Sequence, residues 1–170
     1  MSFIEHTFTR RAAPLFPSHY LIDFMKLRAS LATLIFLTLV VGDQIIKYLV
    51  KTGMSLGERI HVTDWFYILF TENHGMAFGM DFIGTAVLSV FRVAAIVLFT
   101  VVLVKQIRRG APLGFVACLT LIIAGAFGNI IDNFFYGLCF TESLPYTPGA
   151  SPAHCVPMGE GYGCFLHGRV

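Results

Sequence analysis

Residues 31–50 read LATLIFLTLVVGDQIIKYLV. At about 1.5 Å rise per residue, twenty residues of helix cover about 30 Å, the depth of a bilayer's hydrocarbon core. Two further runs have the same character: Phe82 to Val104, broken only by Arg92, and Ala111 to Ile131, rich in the small residues Ala117, Ala124, Gly125, Ala126 and Gly128. In lipid, each backbone N–H and C=O must find its partner within the segment, so runs of this length are read as helices. The small residues of the third run allow close approach of neighbouring helices. The sequence therefore predicts an all-α membrane protein with transmembrane helices at about residues 31–50, 82–104 and 111–131.

Composition agrees. Of the 170 residues, 56% are hydrophobic and 13% charged, with mean hydropathy +0.73, whereas soluble domains carry about 25% charged residues. The net charge of +2 does not form a basic face, which excludes nucleic acid as a partner. The four cysteines, Cys118, Cys139, Cys155 and Cys164, show no metal-ligand spacing, so no zinc or other metal site is expected. Cys118, inside an apolar run, is expected to be a small core residue. An oxidising compartment would allow one disulfide among the other three, with the pairing open.

Residues 1–24 carry Arg10, Arg11, Pro14 and Pro17 with no sustained period, and lack the form of a signal peptide. They read as a disordered extension, or as sequence upstream of a true start at Met25. The remaining 25–170 form one domain. Lys and Arg flank the runs unevenly: Lys26 and Arg28 precede the first, and Lys105, Arg108 and Arg109 separate the second from the third. The positive-inside rule then puts the N-terminus and residues 105–110 in the cytoplasm, and residues 51–81 and 132–170 outside. In the first outer loop, His61 to Phe70 (HVTDWFYILF) reads as a strand or an interfacial segment. Residues 138–170, with four prolines and several glycines, read as loop.

Polar groups inside spans are costly and call for a reason. Asp43 and Lys47, four apart, share one helix face. They either neutralise each other as an anchor or hold a site near the outer interface. Arg92, near the middle of the second span, either pairs with a neighbouring helix or meets a substrate or ion. Asn129, Asp132 and Asn133 are spaced to point one way, and Gly125 and Gly128 before them make room for a backbone or a ligand. Glu72 to Gly79 (ENHGMAFG) is polar, then small, then aromatic. These clusters converge on one membrane face and predict a site reached from outside.

Three blocks carry a family resemblance. Asp43-Gln44-Ile45-Ile46-Lys47 is similar to D-Q-x-x-K, Asn73 to Gly79 to N-x-G-x-A-F, and Gly125 to Asp132 (GAFGNIID) to G-A-x-G-N-x-x-D. In this order and at these places relative to the spans, they resemble the lipoprotein signal peptidases (signal peptidase II), intramembrane aspartic endopeptidases of bacteria. The resemblance covers about residues 25–170.

It implies a four-helix bundle, of which three helices are present, with a small extracytoplasmic β-like cradle. It also implies cleavage of prolipoprotein signal peptides just before the diacylglyceryl-modified cysteine, by a monomer in the inner membrane, with no cofactor. Asn73, Gly75, Asn129 and Asp132 would shape the substrate site, supported by Asp43 and Lys47. The two catalytic aspartates of the family stand in a V-V-D-x block and an N-x-A-D block. The chain ends His167-Gly168-Arg169-Val170, similar to the lead-in to the first. Both aspartates are thus expected beyond Val170, none of the residues 1–170 is assigned as a catalyst, and the chain as it stands is expected to be inactive. Asn133 stands where the family often has Arg. The rival reading is a non-enzymatic multi-pass membrane protein, a small transporter or assembly subunit, although no inverted repeat supports it. A lipoprotein substrate is excluded, since no small-residue box precedes a cysteine after an N-terminal apolar run.

Overall fold

The structure, a computed structural model, describes residues 18–72, 85–166 and 168–170. Its elements in chain order are α1 (Ser18–Gly53), the strands β1 (Arg59–Thr63) and β2 (Phe66–Leu69), α2 (Thr85–Arg108) and α3 (Leu113–Ile131). A π-helical turn, Asp132–Tyr136, and a last α-turn, Gly137–Cys139, extend α3 without a break. Three segments are long and apolar enough to cross a membrane: Ile22–Gly53, Ser89–Arg108 and Leu113–Cys139. The chain is an all-α, multi-pass membrane protein with one small sheet, as the apolar runs predict.

The first helix is much longer than its run. α1 has 36 residues, about 54 Å of helix against a core of about 30 Å. It begins at Ser18, so residues 18–24 of the stretch read as an extension are helical, and 1–17 lie outside the described residues. Intrahelical hydrogen bonding continues past the apolar stretch because nothing in Leu21–Ser30 breaks it: the prolines stand upstream, at Pro14 and Pro17.

α3 is the central helix. It packs against both α1 and α2, which touch each other far less, and it buries Val116, Leu119, Ile123, Ala124 and Ile130. At one end of the bundle Ala32 of α1, Ile107 of α2 and Val116 of α3 form a small core with Met25 and Leu103. The same end gathers the basic flanks, with Arg28 Nη1 lying 3.5 Å from where a Cβ on Gly110 would stand. Gly110, at φ 74°, closes α2: its N–H donates to Ile107 O at 3.1 Å and that of Ala111 to Gln106 O at 3.0 Å. This is a glycine-terminated C-cap. It reverses the chain directly into α3, so α1 and α3 run parallel and α2 antiparallel.

The opposite end carries the interior polar residues. The stretch His61 to Phe70 is not one strand but the end of β1, the turn and β2 of a hairpin. β1 and β2 pair antiparallel, Ile60 opposite Ile68 and His61 opposite Tyr67, with an irregularity between His61 and Thr63. Asp64 and Trp65 form the turn, where the Phe66 N–H donates to Thr63 Oγ1 at 3.1 Å. A side chain that satisfies the backbone locally lets the chain reverse inside an otherwise strand-like sequence. Residues 140–166 fold back over this end. The Leu56 N–H donates to Leu144 O at 2.9 Å and that of Tyr146 to Leu56 O at 2.8 Å, laying the loop beside the hairpin. Val156 N donates to Cys139 O at 2.8 Å and Tyr162 N to Phe140 O at 2.9 Å, binding it to the end of the third span.

The cysteine expectations need one correction. Cys118 is exposed on the outside of α3 rather than in the core. Helix periodicity decides this, because Val116, Leu119 and Thr120 take the buried face and leave position 118 turned to lipid. Cys139 and Cys155 are free thiols in the structure.

Candidate functional site

The first and third blocks meet where α1 and α3 run side by side. Lys47 Nζ lies 2.8 Å from Asp43 Oδ2 on its own helix and 2.6 Å from Asp132 Oδ2 across the interface. It also donates to Asn129 Oδ1 at 3.2 Å. Gln44 closes the other side: its Nε2 donates to Asp132 Oδ1 at 3.0 Å, to Gly128 O at 3.2 Å and to Asp43 Oδ2 at 3.2 Å. The expected Asp43–Lys47 pair is therefore real but incomplete, because the cation is shared with a second carboxylate eighty-five residues away.

Burial ranks the members. The Asp132 side chain is 7% exposed, Lys47 18% and Asp43 37%. A buried carboxylate survives only with a close cation and with its remaining lone pairs satisfied. Asp132 has both, one oxygen on Lys47 and the other on Gln44. A carboxylate whose two oxygens are already engaged is badly placed to carry protons to and from a substrate. Its contacts tie the ends of α1 and α3 together.

Gly128 is what allows the approach. A Cβ there would run into the Asp43 carboxylate and stand 3.7 Å from Lys47 Nζ. Gly125, expected to make room in the same way, would meet nothing within 4 Å.

Asn129, Asp132 and Asn133 line one cavity but do not point one way. Asn129 and Asp132 face Lys47 of α1, whereas Asn133 faces α2. Its amide lies 3.0 Å from Ser89 Oγ and, turned to put its oxygen inward, accepts from Arg92 Nη1 at 2.6 Å. The physical reason is the π-turn that begins at Asp132. The wider turn carries the residue four beyond Asn129 off its line, and such turns recur at functional sites. Among the described residues, Arg92 accordingly pairs with the neighbouring helix through an amide.

Where α2 and α3 meet, Arg92, Asn129, Asp132 and Asn133, together with Arg169 and Val170, enclose a polar cavity of about 20 Å³, roughly the space of one water. The chain reaches it by lying close on the π-turn. The Gly168 N–H donates to Asn133 O at 3.1 Å, and a Cβ on Gly168 would collide with the Asp132 carbonyl. Asn73 and Gly75, the remaining expected substrate residues, lie outside the described residues, as does His74.

Two residues that are not among the expected site residues now stand out. Gln44 is visible inside its block, but its reach to Asp132 is not. Lys51, one turn beyond Lys47 on the same face, is 0% exposed and lies 2.6 Å from Glu72 Oε1. The repeat of Asp43, Lys47 and Lys51 at steps of four is the available signal.

Three membrane-spanning helices with a lysine held between two carboxylates at one end define a multi-pass membrane protein with an intramembrane polar centre. Comparison with known proteins narrows this to a family. The family model for Signal peptidase (SPase) II matches residues 35–141, and the chain belongs to that family.

Among its relatives, the lipoprotein signal peptidase of Porphyromonas gingivalis is 47% identical over 140 residues, which are 82% of this chain and 59% of that protein. That of Allorhizobium ampelinum is 42% identical over 120 residues, 68% of this chain and 71% of the relative. That of Symbiobacterium thermophilum is 36% identical over 141 residues, 75% and 87% respectively. The chain spans 59% of the length of the Porphyromonas protein that it matches. No solved structure matches.

Proposed function

We propose that this chain forms the substrate-binding part of a lipoprotein signal peptidase, an aspartic endopeptidase that cleaves prolipoprotein signal peptides before the diacylglyceryl-modified cysteine. In this reading it is a monomer in the bacterial inner membrane with its N-terminus in the cytoplasm. The observation that carries the proposal is the meeting of the first and third blocks: Asp43, Gln44 and Lys47 of α1 on Asn129 and Asp132 of α3. Residues far apart in sequence, singled out by the resemblance, come together around one half-buried cation.

The roles follow from the contacts. Asp43, Gln44 and Lys47 hold Asp132 as a fixed anion. Asn129 and Asn133 line the cavity beside it, and Asn129 is assigned to the substrate site. Asn73 and Gly75 are assigned to the same substrate site. The family's aspartate pair supplies acid–base chemistry: two close carboxylates share a proton, one drawing a proton from water while the other donates to the scissile carbonyl. Neither of that pair is assigned to residues 1–170. Asp132, with both oxygens engaged, is kept as a binding residue. A transporter path fits less well, since the polar cavity between α2 and α3 holds about one water rather than a file of them.

The test is ligand binding by the chain reconstituted in lipid nanodiscs. The probe is a fluorescent peptide with an apolar signal-like segment followed by a dipalmitoylglyceryl cysteine. Saturable binding that is lost when the cysteine is left unmodified is expected. Equal binding of the modified and unmodified peptides would refute the assignment.

A further inference from the structure

Beyond the three blocks, four residues at the hairpin end form a second, partly buried assembly. Lys51, at the end of α1, is 0% exposed. Its ammonium donates to Glu72 Oε1 at 2.6 Å and to the carbonyl of Arg169 at 3.1 Å, and stands 4.8 Å above the ring of Tyr162. Tyr162 takes the same residue from the other side. Its hydroxyl accepts from the Arg169 N–H at 2.6 Å and lies 3.4 Å from the Arg169 carbonyl, and the Arg169 guanidinium covers its ring at 5.6 Å. Burial pushes the Tyr162 phenol up to about 12, so the hydroxyl keeps its proton at any physiological pH.

The positions of these partners give the assembly its meaning. Glu72 is the residue before Asn73, where the second block begins. Arg169 and Val170 line the cavity with Asp132 and Asn129. Tyr162 belongs to the loop 138–166, to which the resemblance gives no role. One desolvated ammonium thus joins the end of a membrane helix to the residue that precedes the second block and to the segment that lines the cavity. A buried lysine is costly unless its hydrogen bonds are met. Lys51 places two of its three protons on those two partners, with the ring of Tyr162 under its charge.

We propose that Lys51 is a positioning residue of the substrate site, acting through Glu72 and the Arg169 backbone, and that Tyr162 of the 138–166 loop is the second jaw of the same clasp. The assignment rests on the peptidase reading above. It deepens that reading by giving the loop a role, which is to hold the segment at Gly168–Val170 against Asp132.

Two measurements on the chain in nanodiscs test it. The first is hydrogen exchange of the Arg169 amide, which needs no activity. Lys51→Met and Tyr162→Phe should each speed it, while the amides of α3 between Leu119 and Ile130 stay protected as the control for folding. The second is affinity for the dipalmitoylglyceryl-cysteine peptide. Lys51→Met should weaken it roughly tenfold and Tyr162→Phe roughly threefold, with the double variant no weaker than Lys51→Met alone, as two residues acting through one backbone segment require. General loosening of the fold would instead make the losses multiply.

Unchanged exchange at Arg169 in Lys51→Met overturns the clasp. Faster exchange with unchanged affinity, or losses that multiply, overturns the positioning role alone. A wild-type chain that fails to bind the peptide overturns the peptidase reading and the role that rests on it.

Discussion

The shared lysine makes an ordered prediction about stability. In Lys47→Met, Asp132 loses its cation at 2.6 Å and Asp43 its cation at 2.8 Å, and two carboxylates are left facing each other at the α1–α3 interface. Removing one partner of a buried ion pair costs about 3–5 kcal/mol. Most of this falls on Asp132, whose side chain is 7% exposed, and little on Asp43, which is 37% exposed and screened by water. In Asp132→Asn, Lys47 keeps Asp43 and Asn129, and position 132 keeps an oxygen for Gln44, so about 1.5–3 kcal/mol is lost with the one charged hydrogen bond. Asp43→Asn should cost about 0–1 kcal/mol. The double variant Lys47→Met/Asp132→Asn should be more stable than Lys47→Met alone, because no buried carboxylate is left without a cation. Reversible unfolding in mixed detergent micelles, followed by steric trapping, reads these differences. If Asp132→Asn proved as damaging as Lys47→Met, or Lys47→Met lay within about 1 kcal/mol of wild type, the ion-pair account of the interface would be wrong.

Gly128→Ala places a methyl group against the Asp43 carboxylate and should cost about 1–3 kcal/mol in the same unfolding assay, as overpacking does, while Gly125→Ala, with open space around it, should cost nothing measurable. Gly168→Ala meets backbone rather than side chain at Asp132 and Gly137, so the last residues should lift from the π-turn, seen as faster hydrogen exchange at Arg169 with the bundle still protected. Tyr162, whose phenol burial pushes up to about 12, should ionise after the exposed tyrosines in a titration followed at the tyrosinate absorbance. Since its folded pKa lies above the unfolded value of about 10, stability that is complete below about pH 10 should fall as the pH rises from about 10 to about 12. Tyr162→Phe should make that fall shallower.

The spans were legible because the bilayer leaves the chain so little choice: an apolar run of about 20 residues must be a helix, and α1, α2 and α3 fall on the runs at 31–50, 82–104 and 111–131. Helix ends were not, because hydrogen bonding continues into polar flanks until a breaker stops it. α1 therefore starts at Ser18, while α2 closes at the cap that Gly110 makes. The hairpin hid inside HVTDWFYILF because its turn depends on one threonine hydroxyl, a contact that β-propensity does not encode. The site divides in the same way. Spacing could place Asp43 and Lys47 on one face, since steps of four are a property of any helix. It could not show that Lys47 serves Asp132, which depends on the parallel packing of α1 and α3 and on the missing side chain at Gly128. Nor could it follow Asn133, because the π-turn at Asp132 breaks the period on which the inference rests. That break has a consequence of its own. By turning Asn133 toward Arg92 while Asp132 stays on Lys47, it gives each neighbouring helix a separate polar tie to the end of α3. The cavity lies between those ties, so the feature that defeats the periodicity argument is also the one that shapes the cavity.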